Sequence, residues 1–221
     1  MDFSLEALSS KVLHSVMLVI GLTGGVASGK TTVSNILRSL GVISINADFI
    51  GHKTYEKGTD CYQQLIEVFG DSILAENGEI NRRHLGDLVF SDKSKMKDLT
   101  GIVWPAIRKM LTEQLDEIRN TVKEGDSAPI VSLEAAVMIE AGWYDLVSTL
   151  WVINTDRDVA KGLLMTRNNL SAEEASKRVD SQMSNDERSK YASHVLYNSG
   201  SLEQLEAETR RLFRNLISEG V

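Results

Sequence analysis

The sequence reads as an α/β protein built on a doubly wound, parallel, five-stranded sheet. Three observations lead there. Short apolar runs alternate with helical patterns along the chain. The run Gly24-Gly25-Val26-Ala27-Ser28-Gly29-Lys30-Thr31 lies between an apolar run and a helix, in strand–loop–helix order. No stretch reads as a linker, a repeat or a low-complexity tract, so one folded domain is expected.

The elements follow in order. Val16-Met17-Leu18-Val19-Ile20 is the first expected strand, and a helix with Val33, Ile36, Leu37 and Leu40 on one face follows the glycine-rich run. Val42-Ile43-Ser44-Ile45-Asn46 is the second strand, started by Gly41. Pro129-Ile130-Val131-Ser132-Leu133 is the third, Thr149-Leu150-Trp151-Val152-Ile153 the fourth, and His194-Val195-Leu196-Tyr197 a short fifth. Pro105 and Pro129 are the only prolines.

The stretch from about 51 to 125 contains no convincing strand. Tyr62 to Phe69 is helical, Asn77-Gly78 is a turn, and Ile80-Asn81-Arg82-Arg83 leads into another helix. Ile107, Met110, Leu111, Leu115, Ile118 and Val122 keep a helical period. About seventy residues of helix are therefore inserted between strands two and three, a natural place for a second substrate. A further helical excursion covers about 168–191. Ser171 and Glu174 form a capping box there, and Glu173, Lys177, Arg178, Asp180, Asp186, Glu187, Arg188 and Lys190 crowd it with charge. It reads either as a solvated hairpin or as a lid that keeps water from a nucleotide; the lid is preferred. The last helix opens on Ser201 and Gln204, and Leu202, Leu205, Leu212, Phe213 and Leu216 are expected to pack it on the sheet.

Composition narrows the function. A chain of 221 residues with 42% hydrophobic content can bury a sizeable core. A net charge of −7 argues against a general nucleic-acid binder. Cys61 is the lone cysteine, which excludes an internal disulfide and points to a reducing compartment. The four histidines lack zinc-ligand spacing. No segment is long enough to span a membrane. Residues 1–17 read as a short tail, poor in the features of a transit peptide. A cytoplasmic location is expected, with mitochondrial association left open.

Gly24 to Thr31 fits G-x-x-x-x-G-K-[ST] without a mismatch. A strand, a glycine loop and a helix N-terminus make an anion site, because backbone N–H groups converge on it and the helix dipole adds positive potential. Gly24, Gly25, Val26, Ala27, Ser28, Gly29, Lys30, Thr31 and Thr32 are thus expected to hold ATP. Lys30 would reach the β- and γ-phosphates, and Thr31 would take a Mg²⁺ position. Asp48 follows the second strand, at the edge where doubly wound sheets place ligands. A carboxylate there can accept an alcohol proton; a helix cap is the plainer role for it. Asp48-Phe49-Ile50-Gly51 also matches D-x-x-G, but it comes too soon after the loop, and Asn154-Thr155-Asp156-Arg157 is not N-K-x-D, so a GTPase is rejected.

Gly21 to Thr32 resembles the opening of the dephospho-coenzyme A kinase family. The likeness continues through Asn46-Ala47-Asp48, Phe69-Gly70, Gly78, Asn81-Arg82, Val89-Phe90 and Trp104-Pro105. Glu134 to Trp143 is similar to the kinase domain of animal bifunctional coenzyme A synthase, and Leu170-Ser171, Gln182 and Asn198-Ser199-Gly200 complete the series. The resemblance implies a kinase domain over 18–221 that moves the ATP γ-phosphate to the ribose 3′-hydroxyl of dephospho-CoA. It implies Asp48 as base, Arg167 as a lid arginine facing the transferred phosphate, Arg82 as an acceptor contact, and Asn198 and Gly200 in a loop near adenine. Thr31 and Glu134 would serve Mg²⁺.

Four positions depart from the family pattern. Asn46 replaces an acid, Leu163 stands where a second lid arginine is common, Trp104 replaces a histidine, and Glu134 replaces an aspartate. Lys161 compensates only in part for Leu163. Three readings stay open: an active dephospho-CoA kinase, a weak ATP-binding relative acting through a CoA-pathway partner, and a kinase for another small alcohol or nucleotide. Seventeen residues precede Leu18, so the adenylyltransferase half of the bifunctional protein is expected on another chain or upstream. Association with a separate phosphopantetheine adenylyltransferase would then be a natural partnership.

Overall fold

The computed structural model describes residues 17–123 and 127–219. The expected tail, 1–17, lies outside the described residues except for Met17. Strands β1 (Leu18–Gly24), β2 (Ile43–Asn46), β3 (Ile130–Glu134), β4 (Thr149–Asn154) and β5 (His194–Tyr197) form one sheet in the order β2-β3-β1-β4-β5. Every pairing is parallel. The five-stranded α/β expectation holds. Parallel strands covered on both faces show up in sequence as apolar runs, which is why β1, β3 and β4, buried almost throughout, were visible; the edge strands β2 and β5 are short and partly exposed.

Strand β1 differs from its expected limits. It runs on past Ile20 through Gly21, Leu22 and Thr23 to Gly24. Ladders on both sides hold this extension, with Leu22 opposite Glu134 of β3 and Gly24 opposite Ile153 of β4. Apolar patterning cannot register Gly21, paired on both sides, or Thr23, paired with Val152 of β4.

The chain divides into two compact units, one of residues 17–46 and 118–219, the other Ala47–Glu117. In the first, Ile20, Leu22, Trp151, Ile153 and Leu196 of the sheet pack with Val33 and Leu37 of α1 (Lys30–Ser39). Leu205, Phe213 and Leu216 of α9 (Leu202–Glu219) join that cluster. The capping pair before α9 forms: Ser201 N–H donates to Gln204 Oε1 at 2.8 Å and Gln204 N–H to Ser201 Oγ at 3.3 Å. Leu202 departs from expectation. It is 60% exposed, lying in the first turn ahead of the buried stripe that starts at Leu205.

The second unit is helical: α2 (Ala47–Thr54), α3 (Asp60–Phe69), α4 (Arg82–Phe90) and most of α5 (Lys93–Asn120). It has its own core of Cys61, Tyr62, Leu65, Ile73, Ile80, Leu85 and Val89, with Met96, Leu99, Ile102 and Val103 packed on it. The unit starts at Ala47, before the expected residue 51, because β2 passes into α2 without a loop. Pro105 sits inside α5. The one N–H it removes is outweighed by packing through Ile102, Val103, Ala106, Ile107 and Leu111 on either side. The Asn77-Gly78 turn is present, with Gly78 at φ 75° and a lone bridge between Leu74 and Ile80 across it.

Residues 157–189 hold α6 (Arg157–Asn168), α7 (Ala172–Asp180) and α8 (Asn185–Ser189). Both α7 and α8 start in full capping boxes, Ser171 with Glu174 and Ser184 with Glu187. The second box was not anticipated. These hydrogen bonds hold both glutamate carboxyls below their ordinary range. One charge of this segment departs from the solvated reading: Arg188 is buried. Among the described residues, no helix is long and apolar enough to cross a membrane.

Ile153 is fully buried in the cluster that the sheet shares with α1 and α9. Ile153→Ala should destabilise the protein by about 2–5 kcal/mol in chemical denaturation. A loss under about 0.5 kcal/mol, the range of a surface change, would contradict the described core.

Candidate active site

The loop between β1 and α1 is fixed by steric fit before any charge is considered. A Cβ built on Gly24 would lie 2.4 Å from the Ile153 carbonyl oxygen and 2.6 Å from Ser28 Oγ. No side chain can stand there, so the loop leaves the sheet pressed against β4. Gly29 closes the loop at φ 94°, in the left-handed region, and caps α1. Ala27 shares that region at φ 57°. Ser28 N–H donates to the Gly25 carbonyl at 3.2 Å, tightening the turn.

Lys30 folds back over the loop. Its Nζ donates to the carbonyls of Gly24 at 2.9 Å and Gly25 at 3.0 Å. Thr31 and Glu134, far apart in sequence, meet: Thr31 Oγ1 donates to Glu134 Oε1 at 3.0 Å. Glu134 is buried at the end of β3. Asn198 reaches the loop from β5's end, where its Nδ2 donates to the Ser28 carbonyl at 3.0 Å. The structure thus gathers the loop, Lys30, Thr31, Glu134 and Asn198 of the expected site.

A cavity of about 280 Å³ adjoins this loop. Gly25, Val26 and Ser28 form one wall, with Thr155, Arg157, Asp180, Gln182 and Arg188 among its other lining residues. Val26 N–H donates to Gln182 Oε1 at 2.6 Å. Arg157 pairs with Asp180, its Nε 2.9 Å from Oδ1, and so joins α6 to the end of α7. Asn185 Nδ2 donates to the Thr155 carbonyl at 2.8 Å, and Asn154 Nδ2 to Ser189 Oγ at 2.9 Å. The short helix α8 is therefore stitched to the carboxyl end of β4. Sequence reasoning missed Arg157, Asp180, Asn185 and Arg188 as cavity residues; in sequence they look like any charged or polar helix surface.

A model of the dephospho-CoA kinase family matches residues 18–204. The chain belongs to that family. It is 39% identical over 195 residues to a dephospho-CoA kinase of Bacillus licheniformis, covering 88% of this chain and 94% of that one. A solved structure of a dephospho-CoA kinase from Campylobacter jejuni superposes with a TM-score of 0.66 at 29% identity, over 91% of this chain and 98% of the other. A protein of Thermus thermophilus superposes at 0.74 with 32% identity, over 90% and 98%.

Other positions that the family resemblance pointed to lie apart from the loop cavity. Arg167 is exposed in the last turn of α6, ten residues from Arg157, or about 15 Å along the helix at 1.5 Å per residue. Leu163 is 45% exposed on the same helix. Lys161 is engaged locally, with Nζ 3.4 Å from Asp158 Oδ1. Gly200 contributes to a cap: a Cβ there would lie 1.9 Å from Gln204 Oε1, so glycine lets the Ser201 cap close. Neither Asn198 nor Gly200 lines the cavity.

Asp48 and Arg82 belong to the second unit. Asp48 is exposed in the first turn of α2, two residues after β2 ends. Arg82 starts α4, and its guanidinium carbon lies 5.7 Å from the centre of the Tyr55 ring. Burial pushes the Tyr55 hydroxyl up from its ordinary pKa, with Arg82 opposing the shift. His52, Tyr55, Glu56, Lys57, Glu79, Ile80 and Arg82 line a cavity of about 600 Å³ within this unit.

Gly24→Ala should force the loop off the Ile153 carbonyl. The expected result is a folded protein, destabilised by about 1–3 kcal/mol, that no longer binds ATP in calorimetry. Normal ATP affinity would show that this contact does not shape the loop.

Proposed function

We propose that the protein transfers the γ-phosphate of ATP to the ribose 3′-hydroxyl of dephospho-CoA, the last step of coenzyme A biosynthesis. The observation that carries this reading is family membership over 18–204, supported by a glycine loop with Lys30 folded over its carbonyls and Thr31 bonded to Glu134, the kinds of group that phosphate transfer uses. The phosphate chain lies along the loop N–H groups, and Lys30 exchanges its two carbonyl partners for phosphate oxygens. Asp48 accepts the 3′-hydroxyl proton as the new O–P bond forms and the bond to the β-phosphate oxygen breaks. Arg167 faces the transferring group after the lid, about 168–191, closes. A guanidinium suits that task because it can bind two phosphate oxygens at once.

Mg²⁺ fits the donor set of Thr31 and Glu134. Both are hard oxygen ligands, already 3.0 Å apart, and this ion commonly takes one or two protein oxygens with phosphate and water completing the shell. When bound, it supplies charge neutralisation at the phosphates. Glu134 orients Thr31 through their hydrogen bond and, with its longer side chain, serves where an aspartate is usual. The second unit holds the acceptor. Its cavity carries His52, Lys57 and Arg82 beside the Tyr55 ring, with Glu56 and Glu79 also on its lining; the three basic side chains suit phosphate groups, and Tyr55 and Ile80 an apolar arm. Asn198 and Gly200 belong to the loop near adenine. A separate phosphopantetheine adenylyltransferase is the natural partner, since it supplies the acceptor.

The deciding assay is ADP release with ATP, Mg²⁺ and dephospho-CoA, with CoA identified by mass spectrometry. Asp48→Asn should lower turnover by about 10²–10⁴-fold while ATP binding stays unchanged. Near-normal turnover would remove Asp48 as the base. No CoA from folded, ATP-binding wild-type protein would favour the weak relative, a reading that Asn46 and Leu163 motivate. Phosphorylation of a different alcohol would favour another acceptor. Glu134→Gln should raise the Mg²⁺ concentration needed for half-maximal rate by about 10–100-fold. An unchanged Mg²⁺ dependence would place the ion elsewhere.

A further inference from the structure

Arg188 is 1% exposed, and among the described residues it is one of the largest fully buried side chains. Its Nε has no hydrogen-bond partner among the described residues, and no described carboxylate makes a salt bridge to its guanidinium. Burial draws its pKa down, and the charge of Glu140 only partly offsets this. An arginine kept for structure is ordinarily tied by hydrogen bonds, because an uncompensated buried cation is costly. This one lacks those ties, and it lines the cavity beside the glycine loop.

Its position beside the loop is specific. From the point where a Gly25 Cβ would stand, Arg188 Nη1 is 3.7 Å away and Gln182 Oε1 is 3.5 Å away. That same Gln182 oxygen accepts the Val26 N–H at 2.6 Å. An acceptor oxygen thus already occupies the kind of position that a phosphate oxygen takes on the loop. The guanidinium lies within 4 Å of the same point beside Gly25. The second cation of this wall, Arg157, is engaged with Asp180, so Arg188 carries the charge that no neighbour neutralises at hydrogen-bond range.

We propose that Arg188 is a phosphate-binding residue, its buried guanidinium contacting the phosphate chain of the nucleotide beside Gly25. The proposal rests on the reading that ATP occupies the loop, and not on the choice of acceptor. Gln182 yields the Val26 N–H when phosphate arrives. The fixed fork of Arg188, itself buried, then makes charge-assisted hydrogen bonds to phosphate oxygens. Its anchorage on α8 accounts for the stitching of that short helix to β4 through Asn185 and Ser189. A cation placed for phosphate has to be held where the phosphate goes.

The test uses the full chain with Arg188→Met and Arg188→Lys, read by calorimetry with ATP, inorganic tripolyphosphate and adenosine, and by the ligand-free Tm. For Arg188→Met, the Kd for ATP and for tripolyphosphate should rise about 10- to 150-fold, the range for hydrogen bonds to charged groups. Adenosine binding should not change. The ligand-free Tm should stay the same or rise, because an apolar chain of similar length replaces a buried cation. Arg188→Lys, which keeps the charge and loses the fork, should weaken both phosphate ligands by a smaller factor. Unchanged affinity for ATP and tripolyphosphate in a folded variant overturns the proposal. So does an equal weakening of adenosine, which marks loss of cavity shape. If Arg188→Met does not fold, Arg188→Lys decides on the same criteria. Binding is read without an acceptor, so a failure to make CoA overturns the functional reading and leaves this result standing.

Discussion

The contact between Gly24 and the Ile153 carbonyl sets the geometry on which the whole site depends. At 2.4 Å from a notional Cβ, it admits glycine alone. The loop must then turn immediately at the carboxyl edge of the sheet, with Ser28 behind it and α1 beginning at Lys30. Steric exclusion comes first in this order of causes. The orientation of the loop N–H groups, the direction of the α1 dipole and the reach of Lys30 and Thr31 follow from it. A parallel sheet with β1 between β3 and β4 is what brings Ile153 to that place.

The charges around the loop are handled in different ways. Lys30 is satisfied by the loop's own carbonyls, so the same groups that shape the cradle also hold its cation. Arg157 is matched by Asp180. Arg188 has neither arrangement, and its desolvation is a standing cost of the fold. Such a cost persists where a ligand offsets it, and an anion beside Gly25 is the ligand that the surroundings favour. Thr31 and Glu134 show the converse case, two polar groups that order each other through a hydrogen bond.

Much of this was legible in the sequence, for identifiable reasons. Strands buried on both faces, β4 above all, appear as apolar runs, and the partly exposed edge strand β5 was still found with its observed limits, His194 to Tyr197. The glycine loop was legible because its residue types have few other uses in that order. The end of β1 was hidden, since Gly21 and Thr23 are held by backbone ladders that leave no apolar trace. The start of the second unit was hidden because β2 enters α2 with no turn residues between them. Arg188 was illegible for a different reason. It lies among many charged residues on short capped helices, and burial of one member of such a set leaves no mark in composition or period. The partnership of Asn198 with Ser28 spans 170 positions, and no local pattern reports it.

Asn198 carries one further consequence. Its side chain holds the Ser28 carbonyl, its N–H donates to the Asn154 carbonyl at 2.7 Å, and its own carbonyl accepts the Thr155 hydroxyl at 2.5 Å. Two separate segments, the glycine loop and the carboxyl end of β4, are thus pinned through one amide residue just past an edge strand. Edge strands and chain ends open more readily than central ones. Local fraying of β5 would release the back of the phosphate cradle while the rest of the sheet stays intact. The protein could then lose its grip on nucleotide well below its unfolding temperature, and heat inactivation would precede melting.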